Sequence, residues 1–363
     1  MMIKKVLLGI CLGLAYASAQ ELTLEKKIGQ MLMVGFHGTQ APEESQICRD
    51  IQQYHVGAVI LFDYNPVDKQ KPKNIASKAQ LAKLTQSLQA CSADGKLLIA
   101  VDQEGGNVQR LKSRYGFYGQ FPKASDVRNM DQREITEVYT KMGRELRSVG
   151  INYDLAPVVD LDINSQNHVI HGLGRSFGKE PRMVAQYAAT FIDAMHGNGV
   201  LTSLKHFPGH GSSVGDTHKG FVDVTNLWKE AELEPYRLLK DKADSVMVAH
   251  VFNKRIDENY PASLSYKTIT KLLRWKLGYH GVVITDDLQM GAISQKYGLK
   301  DTLKLAIHAG NDLLLIGNQL DPQKTVSTQK LVETIAALVE SGEVKEEHID
   351  KAYKRIQALK KKL

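Results

Sequence analysis

The sequence predicts an α/β protein built as a single (β/α)8 barrel of the TIM type. Three observations lead to it. Eight short apolar runs alternate with segments of helical spacing along the chain. The runs are apolar on both faces, as parallel strands covered on both sides are. Polar and charged residues stand at the C-terminal ends of these runs: Asp102, Asp160, Lys205 with His206, His250, and Asp286 with Asp287. In a closed barrel all such ends meet on one face, where active sites are built.

Taken in order, residues 24–32 read as a short helix that leads into a first strand over 31–36. Residues 43–54 have helical spacing, and 56–62 form an uninterrupted apolar strand. Residues 75–90 read as a helix with Leu81, Leu84 and Leu88 at core spacing. A strand at 97–101 runs straight into Asp102. A helix over 133–149 precedes a strand over 151–161, and a helix over 183–196 precedes a strand from 199 into Lys205. Helices at 227–242, 266–277 and 299–308 precede strands at 245–250, 281–287 and 312–317. The tail, 328–363, reads as two further helices. No Gly-x-Gly-x-x-Gly opens a helix after the first strand, which counts against an open dinucleotide-binding sheet.

Of the 363 residues, 43% are hydrophobic and 24% charged, enough for a sizeable core. No Gly/Ser linker divides residues 20–363, so they are expected to form one catalytic domain. Residues 1–19 have the pattern of an export leader: Lys4 and Lys5, an apolar run from Val6 to Ala15, and Ala17-Ser18-Ala19 before Gln20. The run is too short to span a membrane. The mature chain is therefore expected in the periplasm or outside the cell. There Cys48 and Cys91 are either bridged or two buried thiols, and the sequence favours neither. The net charge of +7 falls to +5 without Lys4 and Lys5. Its basic residues are scattered and not interleaved with aromatics, so nucleic acid is not an expected partner. A monomer is the expected state.

Residues 205–218 carry the densest chemistry. Lys205-His206-Phe207-Pro208-Gly209-His210-Gly211 ends an apolar strand and opens a Gly/Ser loop, which delivers Asp216-Thr217-His218. Packing alone gives no reason for so many titratable groups there. A metal is not expected, because His206, His210 and His218 lack compact ligand spacing and no Cys joins them. At a barrel mouth, a carboxylate from Asp286 or Asp287 can attack a sugar's anomeric carbon. The leaving oxygen then needs an acid, and His218 with Asp216 beside it is the best-placed candidate. Adjacent strand residues point to opposite faces, so only one of the two Asp can enter the mouth. The run Val282-Val283-Ile284 does not say which.

These residues also match a known pattern. Lys205 to Gly211, followed by Asp216-Thr217-His218, resembles the marker of the β-N-acetylhexosaminidases in glycoside hydrolase family 3. Ala100-Val101-Asp102-Gln103-Glu104-Gly105-Gly106 with Val108-Gln109-Arg110, Gly174-Arg175-Ser176-Phe177-Gly178, and Thr285-Asp286-Asp287-Leu288-Gln289-Met290 agree in the same order. The resemblance implies exo-acting, retaining hydrolysis of terminal β-linked N-acetylglucosamine without cofactor or metal. It implies Asp286 as nucleophile, His218 as acid/base and Asp216 as its partner. It places Asp102, Arg110, Arg175, Lys205 and His206 at sugar-binding positions. Relatives that recycle peptidoglycan in the cytoplasm have no leader, so trimming of periplasmic glycan ends or of chitin oligomers is the expected role. A β-N-acetylglucosaminide phosphorylase is an alternative, since a neutral His would not repel phosphate. A β-glucosidase on the same scaffold is another.

Overall fold

The computed structural model describes residues 22–363; the expected leader lies outside the described residues. Eight parallel strands follow one another around a barrel: β1 Leu32–Gly35, β2 Ala58–Ile60, β3 Leu98–Val101, β4 Tyr153–Asp154, β5 Leu201–Phe207, β6 Ser245–Val248, β7 Val282–Thr285 and β8 Leu314–Ile316. β1 pairs with both β2 and β8, with Met33 beside Ala58 and beside Leu315. The seam between β7 and β8 is closed by Ile284 against Leu313, where the Thr285 N–H donates to the Leu313 carbonyl at 3.1 Å. Every residue of β1, β5 and β7 is buried, which explains why apolar runs without alternation form these strands.

Helices wrap the barrel, and their ends follow from sequence. Ser77 caps Lys78–Cys91 in a reciprocal box with Gln80, and Asp131 does the same for Gln132–Ser148 with Glu134. Three expected elements differ. The strand over 151–161 is regular only at Tyr153–Asp154, with an isolated bridge from Val158 to Lys205. Pro157 has no N–H to continue the ladder. The helix over 227–242 is a 3₁₀ turn at Glu230–Leu233 and then an α-helix at Glu234–Leu239. Pro235 donates no backbone hydrogen bond and so belongs at the start of that helix. The third, over 266–277, is a π-helix at Lys267–Lys276.

Cys48 and Cys91 form a disulfide that ties the helix Gln46–Tyr54 to the end of Lys78–Cys91. The bridge closes a loop across 43 positions of sequence. Restricting that loop in the unfolded chain stabilises the fold by about 2–4 kcal/mol. Denaturant unfolding of Cys48→Ser with Cys91→Ser is expected to show a loss of that size against the oxidised wild type. Equal midpoints would mean that the bridge contributes nothing.

Candidate active site

The strand ends do converge. Asp102, Arg110, Arg175, Lys205, His206, Asp216, His218 and Asp286 all line one cavity of about 300 Å³ at the C-terminal mouth of the barrel. Its floor is an ion-pair cluster. The Lys205 ammonium, only 2% exposed, reaches Asp102 Oδ1 at 2.9 Å and Glu104 Oε1 at 2.7 Å. Arg175 grips Glu104 through two parallel hydrogen bonds of 2.8 Å, and Arg110 donates to Asp102 Oδ2 at 3.1 Å. Burial would raise the Asp102 carboxyl, but Lys205 and Arg110 outweigh it and hold Asp102 well below the usual range. Burial likewise opposes ionisation of Glu104, and Arg175 with Lys205 carries it down to about 2. Both carboxylates are therefore charged at neutral pH, and their outward lone pairs and the cations' remaining N–H groups are set for a polyol.

Three histidines line the cavity, and their surroundings separate their roles. His206 is locked: Nδ1 meets Asp160 Oδ2 at 2.6 Å, while Asp160 Oδ1 accepts the backbone N–H of His206 and His210 at 3.2 and 2.7 Å. His210 is buried against the Ser213 hydroxyl at 2.7 Å, and burial pushes its ring down to about 4, so it is neutral in use. His218 differs from both. Its side chain is 53% exposed, and Nδ1 meets Asp216 Oδ1 at 2.9 Å. That contact leaves Nε2 free for substrate or water. His218 alone among the three can exchange a proton with both a bound group and solvent.

Asp286 and Asp287 are separated as clearly. Both border the cavity, but among the described residues Asp286 Oδ1 accepts just the Asp287 N–H, at 2.8 Å. Burial works to raise it, but His250, His206 and His218 bring it below the ordinary value, so it is a ready carboxylate. Asp287 Oδ1 accepts the backbone N–H of Gln289 at 3.0 Å and of Gly317 at 3.2 Å, tying the β7 end to the β8 end. Burial pushes Asp287 up to about 6.

The loop that carries His218 is firm at its base. Trp228 Nε1 donates to the Pro208 carbonyl at 3.0 Å, and Asn167 Nδ2 donates to the His210 carbonyl at 2.8 Å. Glu232 accepts the Ser212 N–H at 3.3 Å from below. Gly209 sits at φ +121°, and a Cβ there would lie 2.6 Å from Glu232 Cβ. At its far end the loop meets residues 291–295: the Gly291 N–H donates to the His218 carbonyl at 3.2 Å, and Gln295 Nε2 donates to the Lys219 carbonyl at 3.0 Å.

Glu104 and Asp160 are central here, although the sequence placed Asp160 only among the strand ends and Glu104 only within a matching run, with no role assigned to either. Glu104 stands two residues past Asp102, a spacing that in extended chain puts both carboxylates on one side. Asp63 gave no signal. It is fully buried and holds Lys112 at 2.6 Å and Arg114 at 3.3 Å, which anchors the segment carrying Arg110. Among the described residues no cluster of three or more His, Cys, Asp or Glu is arranged to hold a metal ion.

The sequence profile described as "Glycosyl hydrolase family 3 N terminal domain" matches residues 23–359. A beta-hexosaminidase A of Pseudoalteromonas piscicida is 31% identical over 96% of this chain and 63% of its own length. The structure of a glycoside hydrolase family 3 beta-N-acetylglucosaminidase from Paenibacillus sp. superposes with a TM-score of 0.82 at 35% identity, over 94% of this chain and 63% of that one. A beta-N-acetylhexosaminidase from Beutenbergia cavernae gives 0.82 at 31% identity, over 94% of this chain and 99% of that one. The chain thus spans less than two thirds of the first two of these proteins.

Glu232 makes the loop base sensitive to pH. Burial pushes its carboxyl from the ordinary 4.5 up to about 7, so the native state holds this proton longer than the unfolded chain does. Its contribution to stability therefore declines as pH rises from about 4.5 to about 7. Glu232→Gln, which cannot ionise, is expected to flatten the stability–pH curve over that window. An unchanged curve from urea unfolding at several pH values would contradict this.

Proposed function

The chain belongs to glycosyl hydrolase family 3, and from that premise we propose that it is an exo-acting, retaining β-N-acetylhexosaminidase. The observation that carries the reading is the pairing of two groups on one cavity: the Asp286 carboxylate at the end of β7, and the half-exposed His218 held by Asp216. The first can attack an anomeric carbon from the barrel floor, and the second can protonate the oxygen that leaves toward solvent.

In the first step the Asp286 carboxylate bonds to C1 as the glycosidic bond breaks. Protonated His218 gives its Nε2 proton to the leaving oxygen, while Asp216 supports the imidazolium. In the second step neutral His218 takes a proton from water, and the hydroxide equivalent displaces Asp286 from C1. Asp102, Arg110, Arg175, Lys205 and His206 hold the terminal sugar. Their ion pairs already fix them, so little ordering is left for binding to impose. Asp216 keeps His218 in the tautomer with Nε2 available. A Glu in this role would add a negative charge beside Asp286; the imidazole does not.

The substrate proposed is a glycan with a terminal β-linked N-acetylglucosamine, either a peptidoglycan fragment or a chitooligosaccharide. The proposed location is outside the cytoplasm. The leader pattern of residues 1–19 supports it, and so does the Cys48–Cys91 disulfide, since such bridges persist in oxidising compartments. No helix among the described residues is long and apolar enough to cross a membrane. Every group the mechanism uses lies within one chain, so the proposal treats the protein as a monomer.

A slow-turnover 2-deoxy-2-fluoro or 5-fluoro glycoside is expected to leave a covalent adduct that peptide mapping places on Asp286. Asp286→Ala is expected to lose about 10³-fold or more in turnover. An adduct on Asp287 would overturn the assignment of Asp286 as nucleophile. His218→Ala is expected to slow alkyl glycosides far more than dinitrophenyl ones, because only poor leaving groups need protonation. Equal damage to both classes would remove His218 from the acid role.

A further inference from the structure

His250 is a strand-end residue that the two steps above do not use. It stands two positions past the end of β6, is fully buried, and lies outside the lining of the cavity. Neither the sugar nor bulk water reaches it. Its ring is nevertheless held at both nitrogens. Nε2 meets the Asp287 carbonyl at 2.9 Å, and Nδ1 meets the Ser263 hydroxyl at 2.7 Å. A carbonyl oxygen only accepts, so Nε2 carries a hydrogen and donates it. Ser263 is itself fixed: its N–H donates to the Ala249 carbonyl at 3.0 Å, and its carbonyl accepts from Asn311 Nδ2 at 2.9 Å.

The ring grips the turn that carries Asp286. On either side the chain is pinned by neighbouring strands: the Asp286 N–H donates to the Val248 carbonyl and the Leu288 N–H to the Leu315 carbonyl, each at 3.0 Å. Between these points the Asp287 N–H donates to Asp286 Oδ1 at 2.8 Å, so the tilt of that peptide sets the direction of the carboxylate. The Asp287 carbonyl accepts from the Met290 N–H at 2.9 Å as well as from His250. The Met290 bond, and that from the Gln289 N–H to Asp287 Oδ1, lie within the turn and move with it. Two bonds at Asp287 reach outside. The Gly317 N–H holds the side chain to the end of β8, and His250 holds the carbonyl to the end of β6.

Resting on the retaining reading above, we propose that His250, seated against Ser263, is a positioning residue for the nucleophile: it fixes the Asp287 carbonyl and thereby the aim of Asp286 at C1. Attack needs the carboxylate oxygen about 3–3.5 Å from the carbon and in line with the breaking bond, and a misplacement of about 1 Å costs about 10²-fold. The loss falls on the attack alone. Sugar binding rests on the cluster around Lys205, and proton transfer rests on His218 with Asp216; His250 contacts neither group.

The test sets His250→Asn beside His250→Gln. A Gln amide nitrogen falls near Nε2 and still donates to the Asp287 carbonyl, whereas an Asn amide nitrogen falls near Nδ1 and reaches only Ser263. His250→Asn is expected to lower kcat/KM by about 10- to 100-fold, and by the same factor for alkyl and dinitrophenyl N-acetylglucosaminides, because attack at C1 is common to both. His250→Gln is expected to recover most of that loss. Inhibition by free N-acetylglucosamine is expected to stay at the wild-type constant in both variants. Wild-type rates in His250→Asn, equal losses in the two variants, a loss confined to alkyl glycosides, or sugar affinity falling in step with rate would each overturn the proposal. If His250→Asn does not fold, Ser263→Ala carries the test, since it frees the ring on one side. It is expected to lower kcat/KM about threefold or more, again regardless of leaving group, and an unchanged value would overturn the proposal. The fluoroglycoside adduct separates the two readings. No adduct on Asp286 of the wild type would overturn the retaining reading and this inference with it, while an adduct there with the wrong variant pattern would overturn this inference alone.

Discussion

The site depends on one buried ammonium. Lys205 stands at the end of β5 and spans the barrel to two carboxylates beyond the end of β3, Asp102 and Glu104. Each carboxylate is held in turn by an arginine from a loop, Arg110 after β3 and Arg175 after β4. Two loops, those after β3 and β4, are thus fixed to one charge at the end of β5. Removing one partner from a buried pair leaves the other desolvated and uncompensated, at a cost of about 3–5 kcal/mol. The cluster is therefore rigid in the absence of ligand, and its geometry is set by the fold rather than by the sugar.

That rigidity contrasts with the acid/base. Asp160 immobilises His206 and the start of the next loop, and Glu232, Asn167 and Trp228 hold the loop base. Past Ser213 these side-chain clamps stop. Asp216 and His218 then form a small unit that faces solvent, with backbone contacts to residues 291–292. This division suits a reaction with two proton transfers to different partners. The sugar must stay where it is, while the imidazole meets first the leaving oxygen and then water.

How legible this was in the sequence depended on the range of the interaction. Barrel and strand order followed from local periodicity, because eight buried parallel strands leave eight apolar runs. The strand-end polar residues followed as well, because the topology sends every strand end to one face. Periodicity could not tell Asp286 from Asp287, since β7 is buried on both sides and its pattern has no phase; the resemblance alone pointed to Asp286. Backbone contacts distinguish them: Asp287 Oδ1 is taken by the N–H groups of Gln289 and Gly317, whereas Asp286 Oδ1 meets the neighbouring Asp287 N–H. Asp63 and Lys73 bind partners tens to hundreds of residues away, with no spacing rule to announce them. The Cys48–Cys91 bridge was open for the same reason, as it requires two helices to be neighbours.

The central claim is a double displacement at C1 with Asp286 as the first nucleophile. Its most direct test is the configuration of the sugar at the moment of release. With enough enzyme to outrun mutarotation, ¹H NMR of the first product from a β-N-acetylglucosaminide shows which anomer forms. Two inversions predict the β anomer first, with the α anomer growing in later as the sugar equilibrates in water. The α anomer appearing first would mean a single inversion by water, and would contradict a covalent role for Asp286.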